Sequence, residues 1–554
     1  MYRERINNFI VRSKQRTFII AFVIGAALLR LNTVSAQGNK ITIERLRQKI
    51  AALKVPGLTV TDIQYIDSGS YQPTAFAKTL DGLPAFCLVS ATLKPTPASN
   101  IRIALWMPRS SWNGRFLGTG NGGSAGNIVY DKLAQGLRKG FATANTDMGT
   151  SPHVDSAIGK PERWIDFGYR STHLMTVVSK QILEAYYGKT AHHAYFMGCS
   201  TGGQQALMEA QRYPGDYNGI IAGAPANNRT HLHTGFILNH QATNETTGSH
   251  FSAADLSYIT RTIVEKFAGT DGGSARDSFL TDPRMVKFNL DSLFKCGNAS
   301  NGQCLTDTQI AALKKIYRGP VNPRTGEQIY CAPPPGSENA GGGLEYQQTA
   351  KAAGLFYLYR WVFGAGFDYR RFDFDKDQAI IDSVLGPALN ANNPDLSRFE
   401  KAGGKLIMFT GTADALVPYP DAINYYERVI QQQGSLKKTQ HFFRYFLIPG
   451  MGHCGGGPGI NDFGQNSVTA TKQDSEHDIL LALVKWVERG AAPDKIIASA
   501  LGCCGTQDVR FQRPVYPYPE FPEYTGGEAN NPANYKAVDH LRGGVVKPAG
   551  KYVK

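Results

Sequence analysis

The sequence predicts an α/β fold, a largely parallel sheet interrupted by a large inserted domain. Three observations carry this reading. Short apolar runs end in glycine-containing loops at "AYFMG", "GIIAGAPA", "KLIMFTG" and "FRYFLIPG", as buried parallel strands do. Amphipathic segments such as "QQALMEAQRYP" and "HDILLALVKWVERG" follow them at helical spacing. From residue 227 to 401 this alternation disappears.

Residues 1–36 are set aside as a secretory signal peptide. Arg3, Arg5, Arg12, Lys14 and Arg16 form a basic start, and "TFIIAFVIGAALL" is too short to cross a bilayer comfortably. Val34-Ser35-Ala36 supplies a small-residue cleavage site. An uncleaved membrane anchor is the alternative. Residues 1–36 hold six basic side chains and one acid, so their loss takes the net charge from +14 to +9. That charge is spread thinly, without a Lys/Arg tract interleaved with aromatics, which argues against a nucleic-acid partner. No later stretch is apolar enough to span a membrane. The expected location is secreted or periplasmic, where disulfides persist.

Residues 37–226 form the first half of the main domain. "AYFMG" reads as a strand, and Gly198-Cys199-Ser200-Thr201-Gly202 as a sharp turn. Ala206, Leu207 and Ala210 mark a helix closed by Pro214, and "GIIAGAPA" is the next strand. Strand, turn, helix and strand are the context that a G-x-S-x-G nucleophile elbow requires. Residues 227–401 are rich in Asn, Gly, Asp and aromatics and read as an inserted domain, with "APPPGSENAGGG" a flexible loop. A long surface excursion of the main domain is the alternative. Residues 402–554 resume the sheet. Asp414 follows the strand at Leu406–Phe409, His453 lies in the loop after "FRYFLIPG", and a helix stops at Gly490.

A serine hydroxyl becomes a nucleophile only when a base takes its proton, and that base is usually a histidine held by a carboxylate. Ser200, Asp414 and His453 occur in the chain order of α/β-hydrolases, each after a predicted strand. The expected fold is therefore an α/β-hydrolase with the insertion as a lid. The oxyanion hole needs two backbone N–H groups, one from Thr201 and one from the glycine loop "GTGNGG". Cys199 precedes the serine and Cys454 follows the histidine, so contact between Ser200 and His453 would let the two cysteines bridge. Two independent buried thiols are the alternative. None of the eight cysteines shows the C-x-x-C spacing of a zinc site.

"GCSTGG", "YPGDYNGIIAGAPA", "GTADALVPY" and "GMGHCGGGPG", with "LPAFCLVSATLKP", "WNGRFLGTGNGG" and "RPVYPYP", resemble the tannase/feruloyl esterase family from about residue 45 to 540. These are secreted serine esterases and include the mono(2-hydroxyethyl) terephthalate hydrolase. The resemblance implies a lid that shapes the substrate pocket and an oxyanion donor at Gly122 or Gly123. It implies a lid disulfide between Cys296 and Cys304 and a structural calcium loop, here "GTDGGSARDSFLTDP", in which Asp271 and Asp277 survive and one acid is lost. Calcium takes six to eight oxygens, so binding should be weakened. The chemistry itself needs no cofactor. The usual N-terminal partner of Cys87 is missing, Tyr516 stands where cysteine is common, and Cys331, Cys503 and Cys504 have no assigned partner. Arg360, Arg370 and Arg371 of the aromatic-rich lid are candidates to hold a substrate carboxylate. The implied activity is hydrolysis of a small aromatic ester, with gallate, ferulate and terephthalate monoester left open, as is the oligomeric state. A catalytically idle binding protein on the same scaffold is the competing class, and reaction with a fluorophosphonate probe discriminates the two.

Overall fold

The structure, a computed structural model, describes residues 41–296, 303–349, 354–466, 472–502 and 508–539. The sequence carries N-x-S/T glycosylation sequons at Asn228, Asn244 and Asn298; the last of these, the proposed signal peptide, Cys503 and Cys504 lie outside these residues. Of the other two sequons, Asn228 is buried at 1% exposure and only Asn244 lies at the surface.

Nine strands form the main sheet: β1 (Leu58–Ile66), β2 (Phe86–Leu93), β3 (Ile101–Pro108), β4 (Arg115–Thr119), β5 (Ala142–Thr146), β6 (His193–Cys199), β7 (Gly219–Gly223), β8 (Lys405–Gly411) and β9 (Phe443–Ile448). Their spatial order is β1-β2-β3-β5-β4-β6-β7-β8-β9. The first four neighbours in that order pair antiparallel, and β5 through β9 pair parallel. Side chains alternate between faces along each strand. Phe196, Ile220 and Met408 therefore join one core, while Tyr195, Ile221, Ile407 and Phe409 join another on the opposite face. Burial on both faces explains why these strands read as unbroken apolar runs rather than as alternation.

Helix α1 (Ser171–Tyr187) and helix α2 (Thr201–Arg212) cover the first face through Met175, Val178, Ile182, Ala206 and Leu207. The helix at Ile479–Arg489 covers the second through Ile479, Leu480, Leu483 and Trp486. Asp478 caps its start by accepting from the N–H groups of Leu480 and Leu481, and Gly490 ends it in the left-handed conformation.

Between β7 and β8 the described residues contribute no strand to the sheet. This segment has two cores. One is its own: Leu256, Ile259 and Ile263 pack against Ile310, Leu313 and Ile316. The helices that carry them begin with capping boxes at Ser252/Asp255 and Thr306/Gln309. The other core is shared with the first half of the chain. Leu232, Phe236 and Ile237 of helix α3 (Arg229–Asn244) join Trp361 and Leu385, and pack on Met148, Trp164 and Phe167. A narrow neck closes the segment. Ala391 N–H donates to Asn227 O at 2.8 Å, Asn227 to the Asn392 side chain at 2.6 Å, and Asn392 to the Asn228 side chain at 3.0 Å.

The loop after β9 is pinned to the late strand at Ile496–Leu501 by paired backbone bonds between Asp462 and Ser499. Burial, helped by the charge of Asp478, pushes the Asp462 carboxyl up to about 6. A carboxyl raised in the folded state favours folding when protonated. That contribution is complete below about pH 4 and is lost as pH rises through about 6. Asp462→Asn is therefore expected to stabilise the protein by ~1–3 kcal/mol at pH 8, with the gain vanishing near pH 4. Melting temperatures of both proteins between pH 4 and 8 check this; a gain independent of pH would contradict it.

Candidate active site

Ser200 sits between β6 and α2 with a backbone φ of +64° and ψ of −118°. This strained turn is held from both sides. The Ser200 N–H donates to Gly223 O at 2.9 Å, and the Ser200 carbonyl accepts from Gln204 and Ala226. Glycine at 198 and 202 is a packing requirement. A Cβ on Gly198 would lie 2.4 Å from Gly202 O, and one on Gly202 would lie 3.1 Å from Asn121 O. The turn is thereby pressed onto the loop after β4, where Gly202 N–H donates to Asn121 O at 2.8 Å.

Asp414 follows β8 and is fully buried. Its Oδ1 accepts from the N–H groups of Leu416 and Val417 at 2.9 Å each, which fixes the carboxylate. Its Oδ2 accepts from His453 Nδ1 at 2.7 Å. With its proton on Nδ1, the imidazole keeps Nε2 free to accept another. The two loops are also joined through their backbones, Ala413 N–H donating to Met451 O at 3.0 Å. Cys454 bonds to Cys199, with Cα atoms 5.9 Å apart. Its sulfur lies 3.7 Å from His453 Nε2, so the free nitrogen faces the bridge that ties it to the residue beside Ser200. The structure thus brings Ser200, Asp414, His453, Cys199 and Cys454 into one site.

Thr201 opens α2, and Gly122 and Gly123 lie in the facing loop. The N–H groups of Thr201, Gly122 and Gly123 find no acceptor among the described residues. Gly123 takes φ +54°, a conformation that favours glycine. Its carbonyl accepts from Thr201 Oγ1 at 2.7 Å. Asn121 anchors this loop through its N–H to Gln205 Oε1 and its amide to Thr146 O, both at 2.8 Å.

Other expected residues lie elsewhere. Cys296 and Cys304 are bonded to each other within the insertion. Cys87 and Cys331 are free thiols. Burial pushes Cys87 up to about 12 and raises Cys331 well above its usual value, so both stay protonated. Asp271 and Asp277 do not form a calcium cradle. Asp271 accepts from the N–H groups of Gly269, Gly273 and Thr281. Asp277 accepts from Ser274 N–H and forms a buried ion pair with Arg513 at 3.0 Å. Both carboxylates are already engaged by N–H donors, one of them cationic, and that donor set does not suit calcium. Arg360 pairs with Asp155 and Arg370 with Asp368, while Arg371 is exposed, so none reaches Ser200 through a described contact. An apolar crevice lined by Leu232, Phe236, Tyr330, Cys331 and Leu416, among others, includes neither Ser200 nor His453.

The model of the family described as tannase and feruloyl esterase matches residues 87–538. The chain belongs to that family. An uncharacterized esterase of Xanthomonas campestris pv. campestris is 34% identical across 94% of this chain and 96% of its own length. A probable feruloyl esterase B-2 of Neosartorya fischeri is 31% identical across 87% of this chain and 92% of its own. The crystal structure of feruloyl esterase B from Aspergillus oryzae superposes with a TM-score of 0.82 at 27% identity, covering 89% of this chain and 99% of that one. Tannin acyl hydrolase from Aspergillus niger shares the fold, at a TM-score of 0.71 and 20% identity over 90% of this chain and 94% of its own. This member of the tannase and feruloyl esterase family is a carboxylic ester hydrolase with an α/β-hydrolase fold. Among its described residues no helix is long and apolar enough to cross a membrane.

One residue at the site was not anticipated from the sequence. Arg229, the first residue of α3, is buried at 2% exposure and reaches both Thr201 and Gly123. The available signal was its place, just after the "GIIAGAPA" strand that follows the elbow.

Proposed function

We propose that this esterase is exported and hydrolyses carboxylic esters of phenolic acids through an acyl-enzyme on Ser200. The observation that carries the mechanism is the bonded pair Asp414–His453, tethered through Cys454–Cys199 to the strained serine. Ser200 Oγ attacks the ester carbonyl and forms the new C–O bond, while His453 Nε2 takes the hydroxyl proton. The carbonyl π electrons move onto oxygen, where the N–H of Thr201 and that of Gly122 or Gly123 stabilise the charge. Collapse of this intermediate expels the alcohol, which receives the proton from His453. Water, activated by the same histidine, then releases the acid. Asp414 orients the imidazole and stabilises its charged form.

Residues 227–401 act as the lid that selects the acyl group. The phenolic class is supported by the feruloyl esterases and tannase that the chain resembles. The two disulfides support export.

The test is a panel of methyl ferulate, methyl gallate, the terephthalate monoester and p-nitrophenyl acetate. At least one aromatic ester is expected to exceed p-nitrophenyl acetate in kcat/KM by about 10²-fold or more, since remote binding energy raises turnover only for the fitted acyl group. Replacing residues 230–400 with a short linker should remove most of that preference. Equal kcat/KM for all four esters in the intact protein would sink the assignment.

A further inference from the structure

Among the described residues, Arg229 is a buried cation without a counter-ion. One of its terminal nitrogens donates to Thr201 Oγ1 at 2.9 Å and to Gln204 Oε1 at 3.0 Å. The other donates to Gly123 O at 2.9 Å and to Tyr357 OH. All four acceptors are neutral, and among the described residues no carboxylate lies within ion-pair distance. The Nε–H is buried and has no acceptor among the described residues. Phe167 places its ring 5.2 Å from the guanidinium carbon. Burying a charge without a carboxylate is unfavourable unless something else in the site benefits from it.

The geometry shows what benefits. Thr201 Oγ1 accepts from Arg229 and donates to Gly123 O, and Arg229 donates to that same carbonyl. The three residues form a closed triangle of hydrogen bonds. It joins the residue after the nucleophile to the loop that faces it. Tyr357, from the inserted segment, docks on the outside of the triangle. The atoms left free by this arrangement are the N–H groups of Thr201, Gly122 and Gly123.

We propose that Arg229 is a positioning residue for the oxyanion hole. It fixes the two halves of the hole relative to each other. Its uncompensated charge also biases the site toward the anionic intermediate over the neutral ester. This rests on reading Ser200 as the nucleophile. A rigid hole with a positive charge behind it acts on the transition state and not on ground-state binding. Glutamine and lysine at 229 can each replace only part of this, since a planar, five-donor fork fits the triangle and an amide or ammonium does not.

The test compares Arg229→Lys, Arg229→Gln and Arg229→Ala with wild type on methyl ferulate or whichever panel ester is turned over fastest. The expected result is a kcat lower by about 10²-fold for Arg229→Gln and less for Arg229→Lys, with KM within about threefold. A boronic acid mimic of the tetrahedral intermediate should lose affinity in parallel with kcat, while the product acid binds as in wild type. Guanidinium ion at millimolar concentration should restore part of the activity of Arg229→Ala. A merely structural arginine would lower melting temperature without separating kcat from KM. Unchanged kcat in folded variants would overturn the proposal, as would failure of even Arg229→Lys to fold. Wild type that ignores a fluorophosphonate, or active Ser200→Ala, would instead refute the nucleophile assignment on which the proposal stands.

Discussion

Ser200→Ala is expected to lower kcat on the preferred aromatic ester by about 10⁵-fold or more while the melting temperature stays within about 2 °C of wild type. Removing the nucleophile from a serine hydrolase typically abolishes all but the catalysis due to binding and the oxyanion hole. The fold should not notice, because the elbow is held by the backbone. The N–H of Ser200 is fixed to Gly223 and its carbonyl to Gln204 and Ala226. Alanine keeps a Cβ and meets the same φ of +64° that serine already tolerates. Steady-state kinetics on the purified variant, with thermal denaturation alongside, decide the matter. Activity within tenfold of wild type would remove Ser200 from the mechanism.

The Cys199→Ser/Cys454→Ser double variant is expected to lose both stability and turnover. The bond joins positions 255 residues apart. A chain-entropy account of so long a loop gives up to about 4–5 kcal/mol, reduced by any native strain. The catalytic loss has a separate origin. Cys454 takes φ +63° next to His453, so the histidine loop is held in a shape it would not choose freely. Freed from the bridge, His453 would still meet Asp414 but would wander relative to Ser200. A displacement near 1 Å costs roughly 10²-fold in rate. Peptide mapping without reduction should recover Cys199 and Cys454 in one linked pair. Free thiols at both positions in fully active enzyme would refute the clamp.

The parts of this molecule that were legible in the sequence are those whose cause is local. Strands β6 to β9 are buried on both faces, so each is an apolar run followed by a loop, and Ser200, Asp414 and His453 lie in those loops. The antiparallel edge of β1, β2 and β3 was not read. Strand direction there is set by pairing between distant residues, such as Leu58 with Leu93 and Phe86 with Pro108. The same reason hid Arg229, whose hydrogen-bond partners lie at positions 123, 201, 204 and 357. It also hid the pairing of Asp277 with Arg513, 236 residues away. That pair explains why a calcium expectation based on loop spacing fails: the loop binds a cation from its own chain. The arginines of the inserted segment were misleading in the opposite sense. Their aromatic setting suggested a ligand, yet Arg360 and Arg370 are occupied by Asp155 and Asp368.

The neck between β7 and β8 bears on the order in which the chain folds. The two strands are neighbours in the sheet, but residues 224–404 separate them. Bringing the ends of a flexible loop together grows more unfavourable only as the logarithm of its length, yet distant parallel pairing is still slow. The core built from Leu256, Ile259, Ile310 and Leu313 lies wholly inside the separating segment, so part of that segment can collapse before the sheet is complete. The asparagine bonds at Asn227, Asn228 and Asn392 then close a short gap instead of a long one. Shortening the exposed part of the segment beyond the neck is therefore expected to leave the refolding rate of the sheet within about threefold of wild type, which stopped-flow refolding checks.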